Sequence, residues 1–273
     1  MNYKIVTDSS SNEYFLENIP YSTVPLRIRT VDKEYVDNPD LNVREMVEDL
    51  KSITTKSSTS CPSAGEWMEA FEGADCVFAI TISSNLSGSY NAACMAKEEF
   101  PDKKIEVFDS LSTGAGMLLI VEKIIDGIRQ DLSFEEIVEQ VHEYQKHIHL
   151  LFALESMTNL ANNGRVSPLV AKGAGLIGIR LIGKASDTGT IEMVSKARGR
   201  NKTIKNLVSL IKEMGYKGNK IRIDHVYNEE CANQLKEALL NEFPEAKIVI
   251  GTCKGLCSFY AELGGLIVGF EDL

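Results

Sequence analysis

The sequence has no long apolar run. Nowhere do roughly 18 apolar residues follow one another, the length that a membrane-spanning helix needs. The N-terminal Tyr3-Lys4-Ile5-Val6 passes straight into a strand-like run, so neither a secretory leader nor a transmembrane helix is expected. Positive charge is scarce. The 29 Lys and Arg are outnumbered by 39 Asp and Glu, for a formal net charge of -10. That balance excludes a surface made for nucleic acid or anionic membrane. Metal-ligand spacing is missing too. The cysteines Cys61, Cys76, Cys94, Cys231, Cys253 and Cys257 include no CxxC pair, and no second cluster joins His147 and His149. In the cytosol, the expected compartment, such cysteines are free thiols rather than a disulfide framework. The chain has no Walker A sequence, which disfavours an ATPase of that class, and no low-complexity linker.

What remains is an ordinary soluble composition: 273 residues, 44% apolar and 25% charged. That is enough for one large domain or two modest ones with a sizeable core. The most informative stretch is Thr81-Ile82-Ser83-Ser84-Asn85-Leu86-Ser87-Gly88-Ser89-Tyr90. An apolar run, Cys76 to Ile80, precedes it and reads as a buried strand; Asn91 to Phe100 reads as a helix. A hydroxyl-rich turn at a helix N-terminus offers free amides and a favourable dipole to a phosphate or carboxylate. Serines at such a turn also simply cap helices.

Recurrence favours a site. Strand Tyr3 to Val6 runs into Thr7-Asp8-Ser9-Ser10-Ser11-Asn12 and a helix start at Glu13 to Leu16. Strand Ile105 to Phe108 runs into Asp109-Ser110-Leu111-Ser112-Thr113-Gly114 and an apolar helix, Met117 to Ile128. Thr54 to Ser60 is another hydroxyl-rich stretch. Ser63 and Glu66 form a capping box for a helix through Trp67, which leaves Ser57 to Ser60 without a structural duty, open along a groove. A second strand is expected over Tyr21 to Arg29, edge-like because of Pro25, then a turn at Asp32 to Tyr35 and a helix over Val43 to Ile53. Alternating strands and helices imply a parallel sheet, with ligands bound beyond the strands' carboxyl ends. All the hydroxyl turns fall at that edge.

From about residue 150 the texture changes to a hairpin around Asp187-Thr188-Gly189 and further helix–strand units. The expected fold is α/β in two domains: an N-terminal parallel-sheet α/β domain (1–150) and a C-terminal α+β domain (151–273), closely packed. Two motifs invite other readings. Gly173-Ala174-Gly175-Leu176-Ile177-Gly178 matches the dinucleotide fingerprint, but no clean strand precedes it and an extended segment follows, so it reads as a glycine-rich connection. Gly251-Thr252-Cys253-Lys254-Gly255 resembles a nucleophile elbow with cysteine in place of serine. No histidine follows it to serve as base. A hydrolase or transferase using Cys253 is therefore the alternative reading. Arg165 and Arg198, each beside a glycine in a loop, are candidates for contact with an anion or a partner.

The ordered set Thr7-Asp8-Ser9-Ser10-Ser11, Thr59-Ser60-Cys61-Pro62-Ser63, Ser84-Asn85-Leu86-Ser87-Gly88-Ser89-Tyr90, Asp109-Ser110 with Gly114 and Gly116, Asn163-Gly164-Arg165-Val166 and Ala197-Arg198 resembles the DegV family. That family includes the fatty-acid-binding subunits of bacterial fatty acid kinase, and the resemblance covers about residues 3–272. It implies one long-chain fatty acid, such as palmitate, buried between the two domains. The chain would be a non-enzymatic lipid carrier with no other cofactor and no metal. The carboxylate would be held by Thr59 and Ser87, with backbone donors around Gly88. Ser60, Ser84, Arg165 and Arg198 would stand in supporting or partner-contact roles. Hydroxyls and amides suit an acceptor-only carboxylate. In kinase-linked members a separate kinase phosphorylates the bound acid, and Arg198 matches an arginine of that step. The matching histidine is replaced by Tyr260, with Glu262 close by. A negative charge beside the site would repel an acyl phosphate.

Overall fold

The structure, a computed structural model, describes residues 2–171 and 178–273. The residues 173–177 of the glycine-rich fingerprint therefore lie outside the described residues.

The first half builds a parallel sheet from β1 (Tyr3–Asp8), β2 (Tyr21–Val24), β6 (Cys76–Thr81) and β7 (Lys104–Asp109) in the order β2-β1-β6-β7, all pairs parallel. Strand β6, at an interior position, is buried along its whole length, as expected of a strand covered on both faces. Short strands β3 (Arg27–Arg29), β4 (Glu34–Val36) and β5 (Ser58–Ser60) make a separate antiparallel sheet, with β3 between the other two. Among the described residues five α-helices belong to this half: α1 (Val43–Ser52), α2 (Ala64–Phe71), α3 (Ser89–Glu98), α4 (Ala115–Arg129) and α5 (Phe134–Gln145). The Ser63–Glu66 capping box opens α2 as expected.

The second half is organised around a six-stranded sheet. In chain order it comprises β8 (Ile148–Leu154), α6 (Thr158–Asn162), α7 (Pro168–Ala171), the hairpin β9 (Ile179–Ala185) and β10 (Ile191–Arg198), and α8 (Arg200–Glu213). Then come β11 (Lys220–His225), α9 (Glu229–Glu242), β12 (Lys247–Thr252), α10 (Gly255–Ala261) and β13 (Leu266–Glu271). The strand order is β10-β9-β8-β13-β11-β12; only β11 and β12 pair in parallel. Alternation along β8 sorts its side chains between faces. Leu151 and Ala153 join the core that includes residues of α8 and α9, whereas Leu150, Phe152 and Leu154 pack with α10 and with Ala115 of α4. Helix α4 is apolar on nearly every side because it lies between the two sheets, contacting β6 on one and β8, β11 and β13 on the other.

Three local expectations are corrected. No helix forms at Glu13 to Leu16. Asn12 instead takes a left-handed conformation (φ 65) and its side chain is engaged far away in sequence, which leaves the segment after it irregular. The strand expected over Tyr21 to Arg29 is two strands in two sheets, divided at Pro25, whose ring removes a ladder donor. The expected turn at Asp32 to Tyr35 gives way at Glu34 to β4, which pairs with β3.

Candidate functional site

A cavity of about 290 Å³ opens between the hydroxyl loops of the first half and the second sheet. The first half contributes Thr59, Ser60 and Cys61 from β5 and its end, and Ile82, Leu86, Ser87 and Gly88 from the loop after β6. The second half contributes Leu150, Phe152 and Leu154 of β8, Ile267 of β13 and Ile191 of β10. Strand β5 pairs with β3 through Thr59↔Ile28, which sets the Thr59 hydroxyl against the second half. There it lies 2.7 Å from the hydroxyl of Tyr260 on α10. Burial holds the Tyr260 phenol above its ordinary range, against the lowering effects of Thr59 and the Arg165 charge, so it remains a protonated donor. The pair has two O–H groups and shares one hydrogen bond. One proton is left over for another acceptor.

The loop after β6 is tied down from below. The Asp8 carboxylate, fully buried at the end of β1, accepts hydrogen bonds from the Ile82 amide (2.9 Å) and the Ser89 hydroxyl (2.7 Å), and from Ser10. Desolvation raises its pKa, and those donors offset part of the rise. Gly88 is the N-cap of α3 and offers no side-chain cap, so the helix's first amides depend on Ser87, whose hydroxyl accepts from Ser89 N (3.2 Å), and on whatever enters the cavity. A Cβ on Gly88 would stand 3.2 Å from the sulfur of Cys61; glycine keeps the two loops close.

Arg165 is the one charged side chain lining the cavity among the described residues. Its guanidinium donates to two backbone carbonyls, that of Leu86 at 3.0 Å and that of Asn163. No carboxylate pairs with it among the described residues. Asn163 in turn donates to the Ser57 carbonyl (3.1 Å). Thr59, Ser60, Ser87, Gly88, Arg165 and Tyr260 all line this cavity, whose other walls are mainly apolar.

The other expected residues fall elsewhere. Ser84 gives its amide to Asp109 (3.0 Å) and does not line the cavity. Arg198 ends β10, exposed, away from the lining residues. Glu262 lies off the cavity, where its carboxylate accepts the Asn159 amide (3.1 Å) and so caps the start of α6; the expected negative charge beside the site is directed elsewhere. Cys253 follows β12 and precedes α10 in a strand–turn–helix arrangement, but the thiol is 1% exposed and outside the cavity. Burial and the neighbouring Cys257 and Asp224 push its pKa well above the ordinary thiol value. The Nδ1 of His225 is occupied as acceptor of the Asn228 amide (3.2 Å). A thiol held protonated cannot serve as nucleophile, so the hydrolase reading has no support.

Two polar supports escaped the sequence reading. Asn12 donates to Asp224 (2.8 Å) and accepts from the Lys254 amide (2.9 Å). Asp37 receives the Gly255 and Leu256 amides at the start of α10 (2.7 and 2.8 Å) and the Tyr14 hydroxyl (2.5 Å). Asp8 at a strand end before three serines carried a signal; Asp37 carried none. Among the described residues no group of three or more His, Cys, Asp or Glu is placed to hold a metal, and no helix is long and apolar enough to cross a membrane.

A parallel α/β half and a mixed-sheet half, with hydroxyl loops facing an apolar cavity, define a binding protein for a molecule with one anionic group and an apolar body. A family model described as "Uncharacterised protein, DegV family" matches residues 2–271, and the chain belongs to that family. It is 43% identical to the Streptococcus pneumoniae fatty acid kinase B3 protein, whose crystal structure loaded with linoleic acid superposes with a TM-score of 0.97 over 100% of both chains. A DegV family protein of Eubacterium eligens loaded with heptadecanoic acid is 37% identical, with a TM-score of 0.97 over 99% of this chain and 100% of that one. A DegV domain-containing protein of Streptococcus pneumoniae is 43% identical over 279 aligned positions, 99% of each chain.

Proposed function

We propose that the chain binds one long-chain fatty acid, palmitate or a close relative, and carries or presents it without transforming it. The carrying observation is the cavity itself: Arg165, which no carboxylate pairs among the described residues, and the hydroxyls and amides at Thr59, Ser87 and Gly88 line a cavity with mainly apolar walls. A buried carboxylate is costly unless several donors receive it, and the Thr59, Ser87 and Tyr260 hydroxyls are able to donate. The tail contributes roughly 0.8 kcal/mol per buried CH₂. The similar S. pneumoniae and E. eligens proteins hold linoleic and heptadecanoic acid.

The same reading divides the chain near residue 150, with 1–150 and 151–273 closing on the ligand from either side. The reading also places the protein in the cytoplasm, with a separate fatty acid kinase as a candidate partner. The name of the S. pneumoniae relative supports that partner, and Arg198, exposed at the end of β10, is accessible to one.

Native mass spectrometry of protein purified from cells, followed by organic extraction, tests the reading. A mass excess matching a C16 to C18 acid, recovered as free acid, is the expected result. Protein that is bare and takes up no added palmitate would overturn it. Cys253→Ala separates the rival class: palmitate uptake is expected to be unchanged, with a loss of about 1 kcal/mol in stability from the truncated buried side chain. Abolished function in that variant alone would restore the thiol to the chemistry.

A further inference from the structure

The wall of the cavity has an adjustable element. Phe152 of β8 lines the cavity, and in the ladder it stands opposite Gly183 of β9. A Cβ placed on Gly183 would lie 2.3 Å from Cζ of the Phe152 ring and 2.6 Å from Cε2. Real Cβ atoms do not make such contacts, so the ring occupies the space that any side chain at position 183 would fill. It leans sideways across β9 and covers the glycine rather than standing upright over β8. Gly183 itself does not line the cavity; the ring is what faces it.

We infer that the Phe152–Gly183 pair sets the size and shape of the acyl tail this chain accepts, a proposal that rests on the fatty-acid reading above. The glycine lets the ring lie flat, which keeps the cavity open beside Leu150, Leu154 and Ile267. The ring closes the recess over β9, which would otherwise admit further tail atoms. Removing the ring enlarges the cavity on this wall, and adding a methyl group beneath it drives the ring into the space of the tail. The two changes act in opposite directions on the same quantity. Such a reversal distinguishes a selectivity element from a merely structural contact.

The test is a competition among myristate, palmitate, stearate, arachidate and behenate, with bound acids identified by mass spectrometry, for the wild type, Phe152→Leu, Phe152→Ala and Gly183→Ala. The Phe152 variants are expected to move preference toward the longer acids. At roughly fourfold per accommodated methylene, a gain of two carbons changes the ratio of arachidate to palmitate on the order of tenfold. Gly183→Ala is expected to move preference toward myristate. That substitution also brings Cβ within 2.5 Å of the Glu192 carbonyl oxygen, so it is the one most at risk of not folding; Phe152→Leu keeps an apolar side chain and decides the matter if it fails. A wild type that binds none of the acids removes the fatty-acid reading. A wild type that binds them, with Phe152→Leu and Phe152→Ala showing its own length profile, overturns this inference alone.

Discussion

Replacing Thr59 and Ser87 together by alanine is expected to weaken palmitate binding by roughly two to four orders of magnitude. Each hydroxyl is assigned a hydrogen bond to a carboxylate, and bonds to charged groups contribute about 1.5–3 kcal/mol each, with 1.4 kcal/mol per tenfold. The loss at Thr59 has a second part: Tyr260 is left without its 2.7 Å partner in a half-buried position. Both alanines replace half-buried side chains, so thermal unfolding should shift by only a few degrees while binding collapses. Calorimetric titration with palmitate measures the effect. An unchanged dissociation constant would remove the carboxylate from these hydroxyls and leave Arg165 as its holder.

Asp8→Ala is expected to be the most damaging single change to the fold, lowering stability by about 3–5 kcal/mol. Four buried donors, the Ile82 and Ser10 amides and the Ser10 and Ser89 hydroxyls, would lose their acceptor, at roughly 1–3 kcal/mol each before relaxation. For a chain of this size that corresponds to about 10 °C or more in midpoint. Binding should weaken as well, because the loop carrying Ser87 and Gly88 is anchored there. The pH dependence has a definite sign. Burial raises the folded-state pKa of Asp8 above the usual 3.8, so its linked contribution is full below that value and is lost as pH rises through the raised one. The stability gap between wild type and variant should therefore narrow with rising pH. Thermal unfolding across a pH series checks both statements; a gap that widens with pH would mean that Asp8 is ionised in the fold with its pKa depressed.

Much of this was legible in the residues. Apolar runs ending in Ser and Thr gave β1, β6 and β7 and the edge at which their loops meet, because a parallel strand buried on both faces reads as a continuous apolar stretch. Thr59 fell in Ser57 to Ser60, a stretch without a structural duty of its own, whereas Ser87 and Gly88 were singled out through the resemblance to the DegV family. The sequence does not disclose pairings made across the chain. Arg165 and Arg198 look alike, each beside a glycine; only the fold puts the first into the cavity and leaves the second on an edge strand. Tyr260 stood out as a departure from a family pattern, and its partner could not be read because α10 was not foreseen. The helix expected after Asn12 failed for the same reason, since Asn12 answers to Asp224 and Lys254 rather than to its neighbours.

Those long connections bear on how the protein comes into being. Asn12 is bonded to Lys254, 242 positions away, Asp37 to the start of α10, and Thr59 to Tyr260, 201 positions away. The last strand, β13, is inserted at the middle of its sheet between β8 and β11. A nascent chain emerging from the ribosome can form its first parallel sheet early. It cannot finish the loops at the cavity until α10 and β13 have been made, and contacts this remote in sequence are slow to close. A chain that has made only its first half has half of the cavity wall, and the other half arrives with β8, β10, α10 and β13.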